Sequence, residues 1–91
     1  MYAKGRRKGT VRFTFQPQRP ARTICVAGDF NNWAPAAMRK QKDGTYVRVL
    51  PVPSGTHEYK YLVDGQWLVD PDHGVWAMNC YGTMNSVMDV T

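Results

Sequence analysis

The ionisable side chains are the first candidates for chemistry. The chain has 91 residues with seven acidic side chains and two histidines. Asp43 and Asp64 each precede a glycine in a tight-turn dipeptide, and Asp70 precedes a proline, where it is expected to begin a turn. His57 and His73 do not have the spacing of metal ligands, and neither a nucleophile motif nor a Gly-rich phosphate loop nor an EF-hand loop occurs. We therefore predict no catalytic residue, no bound metal and no cofactor.

Two tryptophans carry a more informative signal. Trp33 lies in "GDFNNWAP", residues 28–35, whose Gly, Asp, Asn and Pro residues favour a loop. Trp67 follows a tight Asp-Gly turn, and Lys60 on the preceding segment should approach the same edge. An exposed indole can lie on the apolar C–H face of a sugar while Lys and Asn bind its hydroxyls. These residues favour a neutral polysaccharide ligand, and the alternative is that both indoles belong to the core.

The segments that must position these side chains read as strands. Apolar residues alternate with polar ones in "TVRFTFQP", which puts Val11, Phe13 and Phe15 on one face. In "THEYKYLV" the same alternation separates Tyr59 and Tyr61 from the polar positions on either side of them. Turn signals recur about every 8–12 residues, and helical periodicity is absent. The pattern predicts an all-β, antiparallel β-sandwich.

The positive charge is concentrated near the N-terminus. The net charge of the chain is +5. Four of the twelve basic residues precede Thr10, and from Thr10 onward eight basic residues are nearly balanced by seven acidic ones. We therefore expect residues 1–9 to be a basic, disordered arm and residues 10–91 to be the sandwich domain. Because the excess charge lies outside the folded surface, a nucleic-acid partner is disfavoured.

Several further expectations concern location and single residues. The absence of a long apolar run excludes a membrane-spanning helix, and the absence of a signal-peptide pattern predicts a cytoplasmic protein. Cys25 and Cys80 are expected to be unpaired thiols, although a disulfide between them stays open. Trp76 is assigned to the core.

The order of the motifs resembles a known family. The series "GDFNNW", "DGTY", "PSGTHEYKYLVDGQW", "DP" and "YGTMNSVMDV" is similar to the family 48 carbohydrate-binding modules, which include glycogen-binding domains of kinase β subunits and N-terminal domains of isoamylases. The resemblance covers roughly residues 10–91. It implies an immunoglobulin-like β-sandwich of the early-set type.

The resemblance also implies a ligand and the residues that hold it. The ligand would be an α-1,4-glucan such as glycogen, starch or a maltooligosaccharide, bound without catalysis. The alternative is a structural spacer or protein-interaction domain associated with a glycogen-metabolising enzyme or kinase. The matching positions are two stacking indoles, a hydroxyl-binding lysine, a tyrosine where kinase-associated members have leucine, and a Thr/Asn pair: Trp33, Trp67, Lys60, Tyr81, Thr83 and Asn85. Because Lys60 and Asn85 fall on strand positions opposite the core, we expect neither to matter greatly for folding.

Overall fold

Strands account for most of the chain, as the alternating pattern predicts. The computed structural model describes residues 1–71, 74–79 and 82–90. A 3₁₀ turn, Asp29–Asn31, follows the third strand. The strands are β1 (Tyr2–Lys4), β2 (Thr10–Phe15), β3 (Ile24–Gly28), β4 (Ala36–Ala37), β5 (Arg39–Lys40), β6 (Tyr46–Pro51), β7 (Gly55–Val63), β8 (Gln66–Leu68), β9 (Trp76–Met78) and β10 (Met84–Val90).

The strands form two antiparallel sheets. One sheet has the order β1-β2-β6-β5, and the other has the order β4-β3-β7-β10-β9 with β8 added to β7. Every pairing is antiparallel. This arrangement confirms the predicted immunoglobulin-like β-sandwich. None of the described residues belongs to a helix that could span a lipid bilayer.

The core lies between the facing sides of the two sheets. Its residues come from alternate positions on β2, β3, β7 and β10, as strand geometry requires. Aromatic rings are in direct contact across it: Phe13 lies 5.4 Å from Tyr59, and Phe15 lies 4.9 Å from Tyr61, between ring centroids. The buried hydrophobic residues are Val11, Phe13, Phe15, Ile24, Val26, Ala27, Met38, Leu50, Val52, Tyr59, Tyr61 and Met88.

Strand β7 is the central element of the larger sheet. On one edge it pairs with β3 from Tyr59 to Val63. On the other edge it pairs first with β10, as far as Tyr59, and then with β8, from Tyr61 onward. Lys60 lies between these two pairings. Strands β8 and β10 therefore occupy the same edge of β7 on either side of Lys60. The outer face of the sheet has an opening between them at that residue.

Asp70 has a role beyond the one its sequence context suggests. It was expected to begin a turn, a prediction that leaves its burial open, and its side chain is fully buried. The Tyr59 hydroxyl donates to its Oδ2 at 2.6 Å, and its backbone N–H donates to Ser86 Oγ at 2.7 Å. The N-terminal ammonium group of Met1 forms an ion pair with the same carboxylate. The carboxylate is therefore part of the packed interior, where it must have partners because unpaired buried charges are costly.

The N-terminal segment also differs from its prediction as a disordered arm. Tyr2–Lys4 is strand β1, whose partner is Val11–Phe13 of β2. The Tyr2 ring lies 6.0 Å from that of Tyr59. The prediction rested on the positive charges of this segment. Over Tyr2–Lys4 the aromatic contact and the backbone hydrogen bonds stabilise a strand despite those charges.

The prediction that Trp76 belongs to the core is wrong. The residue lies on β9 at the edge of its sheet and is 51% exposed. Cys25 is a half-buried free thiol on β3, and Cys80 lies outside the described residues.

Replacement of Tyr59 tests its bond to Asp70. Burial, and then the hydrogen bond to the Asp70 carboxylate, raises the pKa of Tyr59 far above its ordinary value. The unfolded chain ionises this phenol above pH about 10, whereas the folded chain keeps it neutral. Its contribution to stability is therefore complete below pH 10 and is lost as the pH rises further. We expect Tyr59→Phe to lower the free energy of unfolding by about 1–3 kcal/mol at pH 7, because a buried carboxylate loses one donor.

The measurement is urea unfolding at pH 8 and pH 11. Tyr59→Phe should show a smaller loss of stability between the two pH values than the parent protein. Tyr46→Phe is the control because the hydroxyl of this half-buried residue donates to the Ala21 carbonyl, at 3.3 Å, instead of to a carboxylate. If Tyr46→Phe and Tyr59→Phe gave the same pH dependence, the assignment to Tyr59 would be wrong.

Candidate functional site

The loop after β3 places Trp33 and is closed by its own hydrogen bonds. The Gly28 N–H donates to Asn31 Oδ1 at 3.0 Å, and Asn31 Nδ2 donates to the Ala34 carbonyl at 3.0 Å. The Trp33 N–H donates to the Gly28 carbonyl at 2.9 Å. A Cβ atom at Gly28 would lie 2.5 Å from the carbonyl oxygen of Glu58, so only glycine fits where the loop crosses β7. The sequence "GDFNN" therefore encodes a fixed loop rather than a mobile one.

The backbone at the tip of this loop is left-handed at two successive residues. Asn32 has a φ of 57° and Trp33 a φ of 59°. Asparagine tolerates this region, whereas a tryptophan there costs about 1–2 kcal/mol. The surrounding hydrogen bonds must offset that cost. Strain of this kind is often found at binding sites, where the surrounding fold holds a side chain in a required position.

The base of the loop is attached to the sandwich on both sides. Phe30 stacks on Phe13 of the core with ring centroids 5.5 Å apart. Asp29 Oδ2 accepts the backbone N–H of Glu58 at 3.0 Å, and its Oδ1 lies 2.8 Å from Nδ1 of His57. These contacts connect the loop to β7, the strand that carries Lys60.

Trp67 is positioned by the turn between β7 and β8. Asp64 and Gly65 have φ values of 49° and 86°, the left-handed pair that a two-residue hairpin requires. The Asp64 carboxylate accepts the backbone N–H groups of Arg22 and Thr23, each at 2.9 Å. The turn is thereby fixed to the segment before β3. Trp67 pairs with Leu62, which puts it on the same sheet face as Lys60.

The two indoles lie together at one groove. Their ring centroids are 6.5 Å apart and their planes meet at 78°. Trp33 is 36% exposed and Trp67 is 45% exposed. The groove has a volume of about 830 Å³ and is lined by Trp33, Lys60, Trp67, Leu68, Val69, Asn79, Thr83, Met84 and Asn85.

One side of the groove is a hydrogen-bonded polar wall, which comprises Lys60, Asn79, Thr83 and Asn85. Lys60 Nζ donates to Thr83 Oγ1 at 3.1 Å. Asn79 Nδ2 donates to Thr83 Oγ1 at 2.7 Å and to Asn85 Oδ1 at 3.0 Å. Asn85 Nδ2 donates to Glu58 Oε1 at 3.1 Å. Chemically the groove offers two apolar ring faces beside a set of oriented polar groups.

The structure brings five of the six residues taken from the family resemblance to one place, namely Trp33, Lys60, Trp67, Thr83 and Asn85. Tyr81 lies outside the described residues. Lys60 and Asn85 do face away from the core, yet they are only 9% and 5% exposed. Both are packed in the polar wall, and the expectation that neither matters greatly for folding stays a prediction.

Asn79 is the polar lining residue that sequence reasoning missed, and the apolar lining residues Leu68, Val69 and Met84 were not predicted either. Its signal is positional: it stands four residues before Thr83, and the Asn79 N–H donates to the Thr83 carbonyl at 2.8 Å across the β9–β10 hairpin. Gly82, with a φ of 78°, supplies the left-handed residue this turn needs. Recognising Asn79 in advance required the register of the hairpin, which the alternating pattern alone does not give.

A second cleft lies on the other side of β8. It has a volume of about 850 Å³ and is lined by residues 15–21 together with parts of β7 and β8. It contains neither of the two groove tryptophans and none of the four polar-wall residues. We therefore take the tryptophan groove as the candidate site.

Comparison with known proteins identifies the family of this chain. The family model described as the glycogen recognition site of AMP-activated protein kinase matches residues 11–91. The chain belongs to this family. The match confirms the resemblance to the family 48 carbohydrate-binding modules and covers the chain from Val11 onward, which includes all the groove residues but not β1.

Individual relatives support the same assignment. The chain is 37% identical over 67 residues to the 5'-AMP-activated protein kinase subunit beta-1 of Sus scrofa, covering 74% of this chain and 53% of the relative. It is 36% identical over 67 residues to subunit beta-2 of Homo sapiens, covering 24% of that subunit. The chain therefore corresponds to about half or less of these relatives.

A solved structure shows the same fold. The maltogenic amylase from S. marinus superposes on the chain with a TM-score of 0.75 at 24% identity. The superposition covers 100% of this chain and 15% of the amylase.

The closed loop yields a test of its own. We expect Asn31→Ala to lower the free energy of unfolding by about 1–3 kcal/mol, because it removes two hydrogen bonds and leaves a part-buried donor unpaired. Asn32→Gly is the matched control. It keeps those bonds and suits the left-handed backbone, so its stability should stay within about 1 kcal/mol of the parent. Thermal unfolding of both variants, followed by circular dichroism and by the fluorescence of the three tryptophans, makes the comparison. Equal stability of the two variants would show that Asn31 does not hold the loop.

Proposed function

We propose that this domain binds α-1,4-glucans, such as glycogen, starch or maltooligosaccharides, in the tryptophan groove and catalyses no reaction. The observation that carries the proposal is the angle of 78° between the Trp33 and Trp67 rings. Both rings are partly exposed in one groove, so one ligand can contact both. The family to which the chain belongs supports a carbohydrate as that ligand.

The angle between the rings favours one type of polysaccharide. A sugar stacks with its C–H face parallel to an aromatic ring. A ligand that uses both indoles must therefore turn through nearly a right angle between the two contacts. An α-1,4-linked glucan curves into a helix, whereas a β-1,4-linked glucan is a straight ribbon that needs coplanar platforms. The groove thus suits a curved chain.

The polar wall supplies orientation. Stacking alone fixes a ring plane but not the rotation of the sugar within that plane. Lys60 carries three N–H donors, of which one is used by Thr83. Its remaining donors can reach sugar hydroxyls at the groove. Because the ligand is neutral, the single ammonium group acts as a hydrogen-bond donor and not as a counter-ion.

A second candidate function is a protein-interaction or spacer role. Three residues on or beside the edge strand β9 are exposed: Val75 by 54%, Trp76 by 51% and Met78 by 72%. Exposed apolar residues of this kind are common at protein interfaces. The relatives are named as subunits of a kinase, which favours a kinase-like or glycogen-metabolising enzyme as the partner.

Replacing single tryptophans tests the main proposal. Trp33→Ala and Trp67→Ala should each weaken maltoheptaose binding roughly tenfold or more, since each removes a stacking contact and its buried area. Trp76→Ala is the matched control, because this indole is also partly exposed and does not line the groove. Isothermal titration with maltoheptaose and β-cyclodextrin gives the affinities, and cellohexaose serves as the straight-chain comparison.

The outcomes separate the two candidates. Loss of binding in both groove variants with retention in Trp76→Ala supports the glucan site. Equal binding of cellohexaose and maltoheptaose would contradict the curved-chain argument. Unchanged affinity in both groove variants would leave the interaction role as the better candidate.

A charged residue in the wall gives an independent check. Lys60→Gln should weaken maltoheptaose binding by about 0.5–2 kcal/mol, the loss of one or two partly exposed hydrogen bonds. The exposed Lys40, on β5, provides the control variant Lys40→Gln, which should bind as the parent does. The parent affinity should hardly change between 20 mM and about 150 mM salt, because a neutral ligand has no charge to screen. Strong salt dependence would instead indicate an anionic ligand.

A further inference from the structure

The hydrogen bonds of the polar wall form a series in which every bond has the same donor-to-acceptor direction. The groups at the two ends of the series determine that direction. The backbone N–H of Thr83 can only donate, and it donates to Asn79 Oδ1 at 3.1 Å. Nδ2 of Asn79 must therefore face the opposite side, toward Thr83 Oγ1 and Asn85 Oδ1. At the far end, an ionised Glu58 carboxylate can only accept, and it accepts from Asn85 Nδ2. The orientation of both amide groups is thus fixed by an obligate donor at one end and an obligate acceptor at the other.

This direction determines how the Thr83 hydroxyl can act. A hydroxyl oxygen has two acceptor lone pairs and one proton. Lys60 Nζ occupies one lone pair and Asn79 Nδ2 occupies the other. The hydroxyl can therefore form a further hydrogen bond only as a donor. Thr83 is exposed at the groove, so this proton is available to a ligand there.

We propose that Asn79 is a positioning residue that makes the Thr83 hydroxyl a hydrogen-bond donor to the bound sugar. Together with Lys60, Thr83 then presents donors along the polar wall, and the ligand atoms that meet this wall are acceptor oxygens. Asn79 acts through Thr83. The inference rests on the proposed glucan-binding function.

The substitution that reverses the effect is Asn79→Asp. It preserves the acceptor for the Thr83 N–H but replaces Nδ2 by a carboxylate oxygen of nearly the same size. The Thr83 hydroxyl would then donate to that oxygen, and its proton would be withdrawn from the groove. Maltoheptaose affinity should fall about threefold to tenfold, the effect of one hydrogen bond.

A double-mutant cycle distinguishes positioning from a general effect on the fold. Thr83→Val removes the hydroxyl and should lower affinity to a similar extent, whereas Thr83→Ser, which keeps it, should bind within about twofold of the parent. If Asn79 acts through Thr83, the variant carrying Asn79→Asp and Thr83→Val should bind about as well as Thr83→Val alone. Protection of the Thr83 amide from hydrogen exchange, together with the thermal midpoint, reports whether the hairpin is intact.

Calorimetry of these variants beside Trp67→Ala decides between the possible outcomes. Non-additive losses with a protected Thr83 amide support the inference. Parent-like affinity in Asn79→Asp, or losses that multiply in the double variant, would overturn it. If Trp67→Ala abolishes binding while Asn79→Asp is neutral, the glucan-binding function stands and only this inference fails. If the parent protein does not bind maltoheptaose at all, both are overturned.

Discussion

The site depends on the alternation of side chains along β7. Burial of Tyr59 and Tyr61 in the core fixes the register of this strand, because a shift by one residue would turn both rings outward. The same register places Glu58 and Lys60 on the outer face. The free energy that holds Lys60 at the groove is therefore supplied mainly by the aromatic core on the opposite side of the sheet. Core packing and the proposed ligand recognition are properties of the two faces of one strand.

The groove itself arises from the way neighbouring strands share β7. Because β10 pairs only as far as Tyr59 and β8 begins at Tyr61, the sheet opens beside Lys60. Trp67 comes from one side of this opening and Asn85 from the other, while the loop after β3 brings Trp33 to its edge. The groove is thus lined by segments distant in sequence, and each is fixed by its own hydrogen bonds before a ligand arrives. Such preorganisation lowers the entropic cost of binding.

The sequence predicted the sandwich well because alternation and turn dipeptides are local signals. Val11, Phe13 and Phe15 were placed correctly by their spacing, and Asp64-Gly65 by its turn chemistry. Where prediction failed, the deciding interaction was non-local. The turn prediction did not address the burial of Asp70, which depends on a donor from the Tyr59 hydroxyl eleven positions away. Trp76 is exposed because it lies on an edge strand, and no sequence pattern states which strand is the edge. In the groove, loop and turn chemistry singled out Trp33, Trp67 and Lys60, and the family resemblance added Thr83 and Asn85. Asn79 was recognised only from the hairpin register.

The left-handed backbone at Asn32 and Trp33 has a consequence for engineering. A peptide containing "FNNW" would relax at these two residues, since nothing in so short a segment offsets the strain. Nor could the loop be grafted onto another sandwich by copying residues 28–35 alone. The recipient would need a backbone N–H for Asp29 at the position of Glu58, a ring beneath Phe30 and room for no more than a hydrogen at Gly28. The transferable unit is the loop together with β7 and with β2 of the opposite sheet, which carries Phe13.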